Sequence, residues 1–343
     1  MAYTTINKST DYFNTKLWTG NGSTQNITGV NHTPDFVWIK KRTDADGARI
    51  FDTVRGATKA IFTNSNATET TVTSELSAFG SDGYTLGASD AVNGNTKEYV
   101  GWNWKANGAG SSNTDGTITS TVSANTTAGM SIATWSGTGS SGSVGHGLGG
   151  VDCMIIKDLS NSRDFYFWNK TMAYNTRLEL NNTETFTTNT DNMTALPDAT
   201  KINMDVSTQN NGSGNNYVGY FFQEKTGYSK FGSYTGNGDA DGTFLYTGFK
   251  PAFVIIKRTD GGTNDWILYD SKRNINGIEN ALEPNNNNSE STVIGKTNYN
   301  IDLLSNGFKP RSNSDQINNG SYIYMAFAEA PLVGTNNVPC TAR

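Results

Sequence analysis

Pro34 to Arg42 reads PDFVWIKKR, Gly150 to Asp158 reads GVDCMIIKD and Pro251 to Thr259 reads PAFVIIKRT, and these three stretches decide the fold. Each is a short apolar run ending on a lysine at the same place: Lys40, Lys157 and Lys257. A run of this length, bounded by turn residues, reads as a strand covered on both faces. Roughly fifteen residues upstream, an aromatic residue precedes a Gly-x-Gly turn in every case: WTGNGS from Trp18, WSGTGS from Trp135 and YTGNGD from Tyr234. Downstream lie IFDTVRG from Ile50, FWNKTM from Phe167 and LYDSKRN from Leu268, in which Asp52, Asn169 and Asp270 correspond. Each unit closes on an alternating aromatic strand, YVGWNWKA from Tyr99, YVGYFFQE from Tyr217 and YIYMAFAE from Tyr322. The chain is therefore three diverged copies of one β unit. Copies one and three also share a hairpin signature, SDGYTL from Ser81 and SNGFKP from Ser305. Leu196-Pro197-Asp198 stands in its place in copy two.

Composition agrees with short strands and many turns: 35% of the 343 residues are hydrophobic and 37 are glycine, while 11% aromatics argue against disorder. No helical periodicity survives the interspersed Gly, Asn and Thr. The expected organisation is an N-terminal arm (1–17), β-repeats at 18–106, 131–226 and 227–331, a Gly/Ser/Thr-rich linker (107–130) with the edge strand TITSTV, and a C-terminal tail (332–343). A net charge of -5 without any block of like charge excludes a nucleic-acid stripe. No apolar run approaches a membrane span, and the polar start lacks the parts of a signal peptide, so a soluble chain is expected. Two cysteines, Cys153 and Cys340, cannot build a disulfide framework.

The residues offer little chemistry. His32 and His146, the two imidazoles, sit at non-equivalent places and read as ordinary loop residues. Cys153 replaces Phe36 in its strand and is expected to pack as a small hydrophobe. Asp52 and Asp270 are the positions to inspect for a glycoside-cleaving carboxylate pair, yet each is followed three residues on by an arginine, Arg55 and Arg273. Recurrence favours architecture, because an enzyme needs one site and a fold needs the same support in every copy. Calcium candidates are Asp44 with Asp46, and Asp239 with Asp241, although Gly248 stands where the bidentate carboxylate belongs and a plain Asx turn is the competing reading. No catalytic residue and no cofactor is expected. The repeated tryptophans read mostly as core. The loops GNTKEYV, QNNGSGNNYV and DQINNGSYI lead into the same strand of each copy, so Asn95, Asn210, Asn211, Asn215, Asn318 and Asn319 are expected on a polar rim contacting a glycan or a partner.

The opening MAYTTINKSTDYFNTKLWTGNGS, the phrase PDFVWIKKR, the joint YSKFGSYTGNG, the strand YIYMAFAEAP and the ending VGTNNVPCTAR together resemble a family of repeat-bearing, tail-fibre-like virion proteins of marine tailed bacteriophages. The resemblance covers essentially the whole chain and implies an all-β protein of three tandem sandwiches, lectin/concanavalin-like or jelly-roll-like. It also implies a place in the virion, as a tail, fibre, baseplate or head-surface part assembled in the host cytoplasm. The partners it implies are other virion proteins and further copies of the chain, with no nucleic acid and no membrane insertion. A receptor-binding module for host surface polysaccharide is the second reading, and a polysaccharide depolymerase the third. Function is expected in the features not shared between copies: the arm, the linker, the Asn285 to Asn288 loop and the tail.

Overall fold

The computed structural model describes residues 3–188, 192–273, 280–290 and 299–334. Repeat 1 runs through β1 (Phe13–Thr19), β2 (Gln25–Ile27), β3 (Phe36–Lys41), β4 (Arg49–Asp52), β5 (Lys59–Phe62), β6 (Thr70–Thr71), β7 (Leu76–Gly80), β8 (Gly83–Leu86) and β9 (Glu98–Trp104). Repeat 2 comprises β10 (Ser111–Asn113), β11 (Ser120–Asn125), β12 (Met130–Ser136), β13 (Gly142–Gly145), β14 (Cys153–Asp158), β15 (Tyr166–Asn169), β16 (Thr176–Glu179), β17 (Thr187–Thr188), β18 (Lys201–Met204) and β19 (Asn216–Phe222). Repeat 3 comprises β20 (Ser229–Thr235), β21 (Leu245–Tyr246), β22 (Phe249–Arg258), β23 (Ile267–Asp270), β24 (Ile301–Leu304), β25 (Gly307–Pro310) and β26 (Ser321–Pro331). Helix among the described residues is one short α1 (Asp90–Asn93) and a 3-10 turn at Ser9–Asp11. The protein is all-β.

The three repeats share one topology. The large sheets run β1-β9-β3-β4-β5-β6, β10-β11-β12-β19-β14-β15-β16-β17 and β20-β26-β22-β23, so the closing aromatic strand always lies between the first strand and the lysine-bearing one. Small sheets β2-β8-β7, β13-β18 and β21-β25-β24 accompany them. In copy two, β18 takes the place of the missing hairpin strand by pairing with β13. The 107–130 stretch supplies β10 and β11, which extend the large sheet of repeat 2 alongside β12.

Both faces of the large sheets are buried at their central strands, such as β3, β14 and β22, which is why those strands read as continuous apolar runs. In β3, Val37 and Ile39 join Ile27, Leu76, Tyr84 and Leu86 in a core between the two sheets of repeat 1. Phe36 and Trp38 face the other way, into a second core that runs without break through repeats 2 and 3. Around that core Phe36 meets Tyr220 at 4.6 Å between ring centroids, Trp104 meets Phe253 at 5.3 Å, and Phe222 meets Phe327 at 5.8 Å. All seven tryptophans are buried. The repeats are thus one fused body with every copy against both others. The N-terminal segment helps close it: the Tyr3 hydroxyl donates to Gly248 O, and Tyr12 packs edge-on against Tyr228.

The Gly-x-Gly turn has a steric cause at its first glycine. A β-carbon on Gly20, Gly137 or Gly236 would lie 2.2, 2.3 or 2.2 Å from the carbonyl oxygen of Gly94, Gly212 or Asn318 respectively. The second glycine adopts φ of +69° at Gly22, +67° at Gly139 and +68° at Gly238, where side chains are strained. Gly83 and Gly307, by contrast, serve a close approach and not their hairpin loops: a β-carbon there would meet the backbone oxygen of Ile27 at 1.8 Å or of Leu245 at 2.0 Å.

Gly137→Ala is expected to cost about 2–4 kcal/mol, since backbone must move. Gly214→Ala, with positive φ but open space around it, is expected to cost about 1 kcal/mol. Denaturant unfolding of the two variants measures the difference.

Candidate functional site

The expected Asn rim divides between clasp and surface. Each Gly-x-Gly turn is held by an asparagine about 70–80 residues later: Asn93, Asn211 and Asn318 accept from the backbone N–H of Asn21, Thr138 and Asn237 through their side-chain oxygens, at 3.1, 2.9 and 3.3 Å. The same three residues accept from Gly22, Gly139 and Gly238 through their carbonyls. The preceding aromatic completes the clasp. Trp18 donates to Val92 O and Trp135 to Asn210 O, both at 3.0 Å, and Tyr234 donates to Ile317 O. Trp18, Trp135 and Tyr234 stack on Tyr99, Tyr217 and Tyr322 at 5.6, 5.6 and 4.9 Å. Asn210, Asn211 and Asn318 are consequently buried inside the fold, where no ligand reaches them. Asn215 is half-buried and donates to Asp158, whereas Asn95 and Asn319 are exposed. Asn93, the first member of the clasp, went unread because its Asn-Gly pair lies just ahead of the loop taken as the rim.

The recurring lysines join the repeats. Lys40 Nζ donates to Asp46 O in its own repeat at 3.0 Å and to Asn286 O in repeat 3 at 2.9 Å. Lys157 Nζ donates to Arg163 O at 2.8 Å and to Asn66 O in repeat 1 at 3.2 Å. Lys257 Nζ donates to Asn264 O in its own repeat and to Thr183 O in repeat 2 at 2.9 Å. Each ammonium therefore bridges its own loop and that of the preceding repeat, and the cycle closes. All three are fully buried, and burial pushes each down to about 8 against the pull of nearby carboxylates. The Asn285 to Asn288 loop is part of this joint: Thr63 donates to Pro284 O, and Arg42 pairs with Glu290 at 2.7 Å.

Asp52 and Asp270 are likewise interface residues. Both are fully buried and each binds its arginine, Arg55 or Arg273, at 2.5 Å. A neighbouring repeat adds a donor: Tyr220 Oη reaches Asp52 at 2.8 Å, and Trp102 Nε1 reaches Asp270 at 3.0 Å. At the third joint Asn169 replaces the aspartate, Met172 the arginine and Met325 the aromatic donor, leaving Asn169 to donate to Tyr324 O at 3.4 Å.

Both histidines lie in loops and are buried there. His32 Nδ1 faces Thr10 O at 2.9 Å, and burial lowers it to about 4. His146 accepts from Leu148 N–H at Nδ1 and donates through Nε2 to Asp198 O, burial again lowering its pKa. Cys153 is a buried free thiol pushed well up by burial, while Cys340 and 335–343 lie outside the described residues. Asp239 accepts from Asp241 N–H in an Asx turn, and Asp241 is bracketed by Lys309 at 2.7 Å and Arg311 at 2.6 Å, a setting that repels a cation. No cluster of three metal-ligating side chains occurs among the described residues.

A groove of about 500 Å³ opens between repeat 1 and the extended sheet of repeat 2. Ser112, Thr121 and Thr134 lie opposite one another on β10, β11 and β12, so a row of hydroxyls crosses three adjacent strands. The far wall carries Arg55 and Glu69, already paired with each other at 3.1 Å. Hydroxyls without a neighbouring base are not activated nucleophiles, so this surface is suited to hydrogen bonding.

A family described as a domain of unknown function, DUF7483, matches residues 8–331, a span that takes in all three repeats and ends with β26. No curated protein and no solved structure matches the chain.

Two outcomes follow from the clasps. Asn211→Ala is expected to cost about 1–3 kcal/mol by leaving buried N–H groups unmade, against no measurable cost for exposed Asn95→Ala in the same unfolding assay. Stability is also expected to rise with pH between about 8 and 9. Unfolded lysines keep their protons to about pH 10.4 while the folded ones release them near 8, so the unfolded chain holds more protons across that window. The buried Cys153 thiol acts in the opposite sense, and so do the tyrosines that burial pushes up, among them Tyr84, Tyr166, Tyr220, Tyr228 and Tyr234, whose unfolded counterparts ionise as pH nears 10, leaving a net gain of about 1–2 kcal/mol by pH 9. Denaturation midpoints at pH 8 and pH 9 measure it, and Lys157→Met should flatten the slope.

Proposed function

The chain belongs to the DUF7483 family along its whole three-repeat body, and from that premise we propose that it is a non-catalytic structural component of a tailed-phage particle that acts by assembly with other particle proteins. One observation carries this reading most: the groups that could do chemistry, Asp52, Asp270, Lys40, Lys157, Lys257, His32 and His146, are all buried in joints within the fold. A catalytic acid, base or nucleophile must reach its substrate. The hydroxyl-lined groove, by contrast, is open, with β10, the terminal strand of its sheet, beside it. Exposed backbone at a sheet end, next to a row of side-chain hydroxyls, is a seat for an extended segment of another protein. The phage setting itself rests on the sequence resemblance.

Antibody labelling of purified particles tests the reading. The protein should be found on particles, and Thr121→Arg with Thr134→Arg, which fills the groove, should keep an otherwise folded chain off them. Absence of the wild-type protein from particles would overturn it.

A further inference from the structure

The outer face of the small sheet in repeat 3 differs in kind from its counterparts. Leu245 on β21 and Phe308 on β25 are partners pointing into the core, which puts Phe244 and Tyr246 on the opposite, outward face. Both are exposed, at 41% and 54%; the other aromatics among the described residues are buried or half-buried except Tyr174 and Phe186. Tyr246 lies opposite Gly307, and Gly307 lies opposite Leu304 on β24. A β-carbon on Gly307 would stand 3.0 Å from the tip of the Phe244 ring, so that ring leans across the neighbouring strand in space only a glycine leaves. The result is a shallow, exposed apolar shelf, with the Tyr246 hydroxyl hydrogen-bonded to Tyr3 of the N-terminal segment at its edge.

Polar groups border the shelf. Lys309 and Asp302 are cross-strand partners on the same outward face. Arg311 binds Asp302 at 2.5 Å and Asp241 at 2.6 Å, and Lys309 binds Asp241 at 2.7 Å. Two cations and two carboxylates so arranged cancel in charge, yet Asp241 and Arg311 keep 73% and 40% of their side-chain surface exposed, with acceptor and donor capacity left over.

The other repeats show that the fold does not require these rings. Ile27 pairs with Tyr84 as Leu245 does with Phe308, so Asn26 and Thr28 occupy the places of Phe244 and Tyr246. In repeat 2 the pair Val144 with Ile202 puts Ser143 and Gly145 there, and the Asn113 side chain lies over Gly145. An aromatic shelf maintained in one copy of three, at solvent-facing positions, has no part in the shared architecture.

We infer that the Phe244–Tyr246 shelf, bordered by Asp241, Asp302, Lys309 and Arg311, is a carbohydrate-binding site for neutral hexopyranose units. Aromatic faces take the C–H side of a sugar ring, and a balanced ring of charged donors and acceptors meets neighbouring hydroxyls while offering no net charge to attract an ionic ligand. The site is far simpler than a cleft, which fits single-residue contact along a longer polymer. It is independent of the assembly role, since it uses repeat 3 and not the groove.

The full chain on an array of neutral hexose, N-acetylhexosamine and uronate oligosaccharides tests the inference. Binding to neutral hexose-containing members is expected, with Phe244→Ala and Tyr246→Ala each weakening it about tenfold or more. Thr28→Ala, at the matching place in repeat 1, should leave it unchanged. Circular dichroism confirms that the variants fold. A silent array, preference for uronates, or binding that survives loss of both rings would overturn the site, whatever the particle labelling finds.

Discussion

A buried ammonium with no carboxylate among the described residues in hydrogen-bond reach is the constraint on which this molecule turns. Desolvating a charge is expensive, and each of Lys40, Lys157 and Lys257 offsets the cost only with backbone carbonyls from two different repeats. Neither loop alone supplies the acceptors. Separation of two repeats would leave a lysine half-solvated and its partner carbonyls unmade, so the lysines make the three copies one cooperative body. The aromatic core surrounds these joints and excludes the water that would otherwise relieve them.

That arrangement explains why the repeat was legible and its purpose was not. Strand order and two-sided burial follow from FVWIK and its equivalents, because period-two alternation counts how many faces are covered. It does not say by what. The second cover of β3 is the neighbouring repeats, as Phe36 against Tyr220 makes plain. The lysines stood out as equivalent, but their acceptors are carbonyls of Asn286, Asn66 and Thr183, and a carbonyl leaves no trace in sequence. Asn211 and Asn318 were visible too, as members of the Asn-rich loops. Their role as clasps was hidden because the turn each one holds lies some 70–80 residues away in the chain. Phe244 and Tyr246 were not legible because β21 is too short to show a pattern.

The third joint shows how strictly charge is managed. Aspartate, arginine and aromatic donor recur together at two interfaces and are replaced together, by Asn169, Met172 and Met325, at the other. Replacing one member would strand a buried charge; replacing all three gives a neutral contact of similar volume, which buried ion pairs often tolerate. Divergence between the copies has therefore proceeded by joint and not by residue. A consequence is that each repeat is fitted to its own neighbours and is not interchangeable with the others.

Head-to-tail contacts between like units generate a ring when the rotation closes, and here it closes within one chain: repeat 2 on repeat 1, repeat 3 on repeat 2, repeat 1 on repeat 3. The surfaces that would drive a single-repeat protein to trimerise are consumed inside the molecule. Any association with further copies or other proteins must use what the ring leaves outside, and those outer faces are where the copies differ most. Repeat 2 adds β10 and β11 and the groove beside them; repeat 3 carries the aromatic shelf; repeat 1 presents Asn26 and Thr28 at the same place. Threefold likeness inside and dissimilarity outside is the pattern expected when one set of residues holds a scaffold together and another, free of that duty, meets partners.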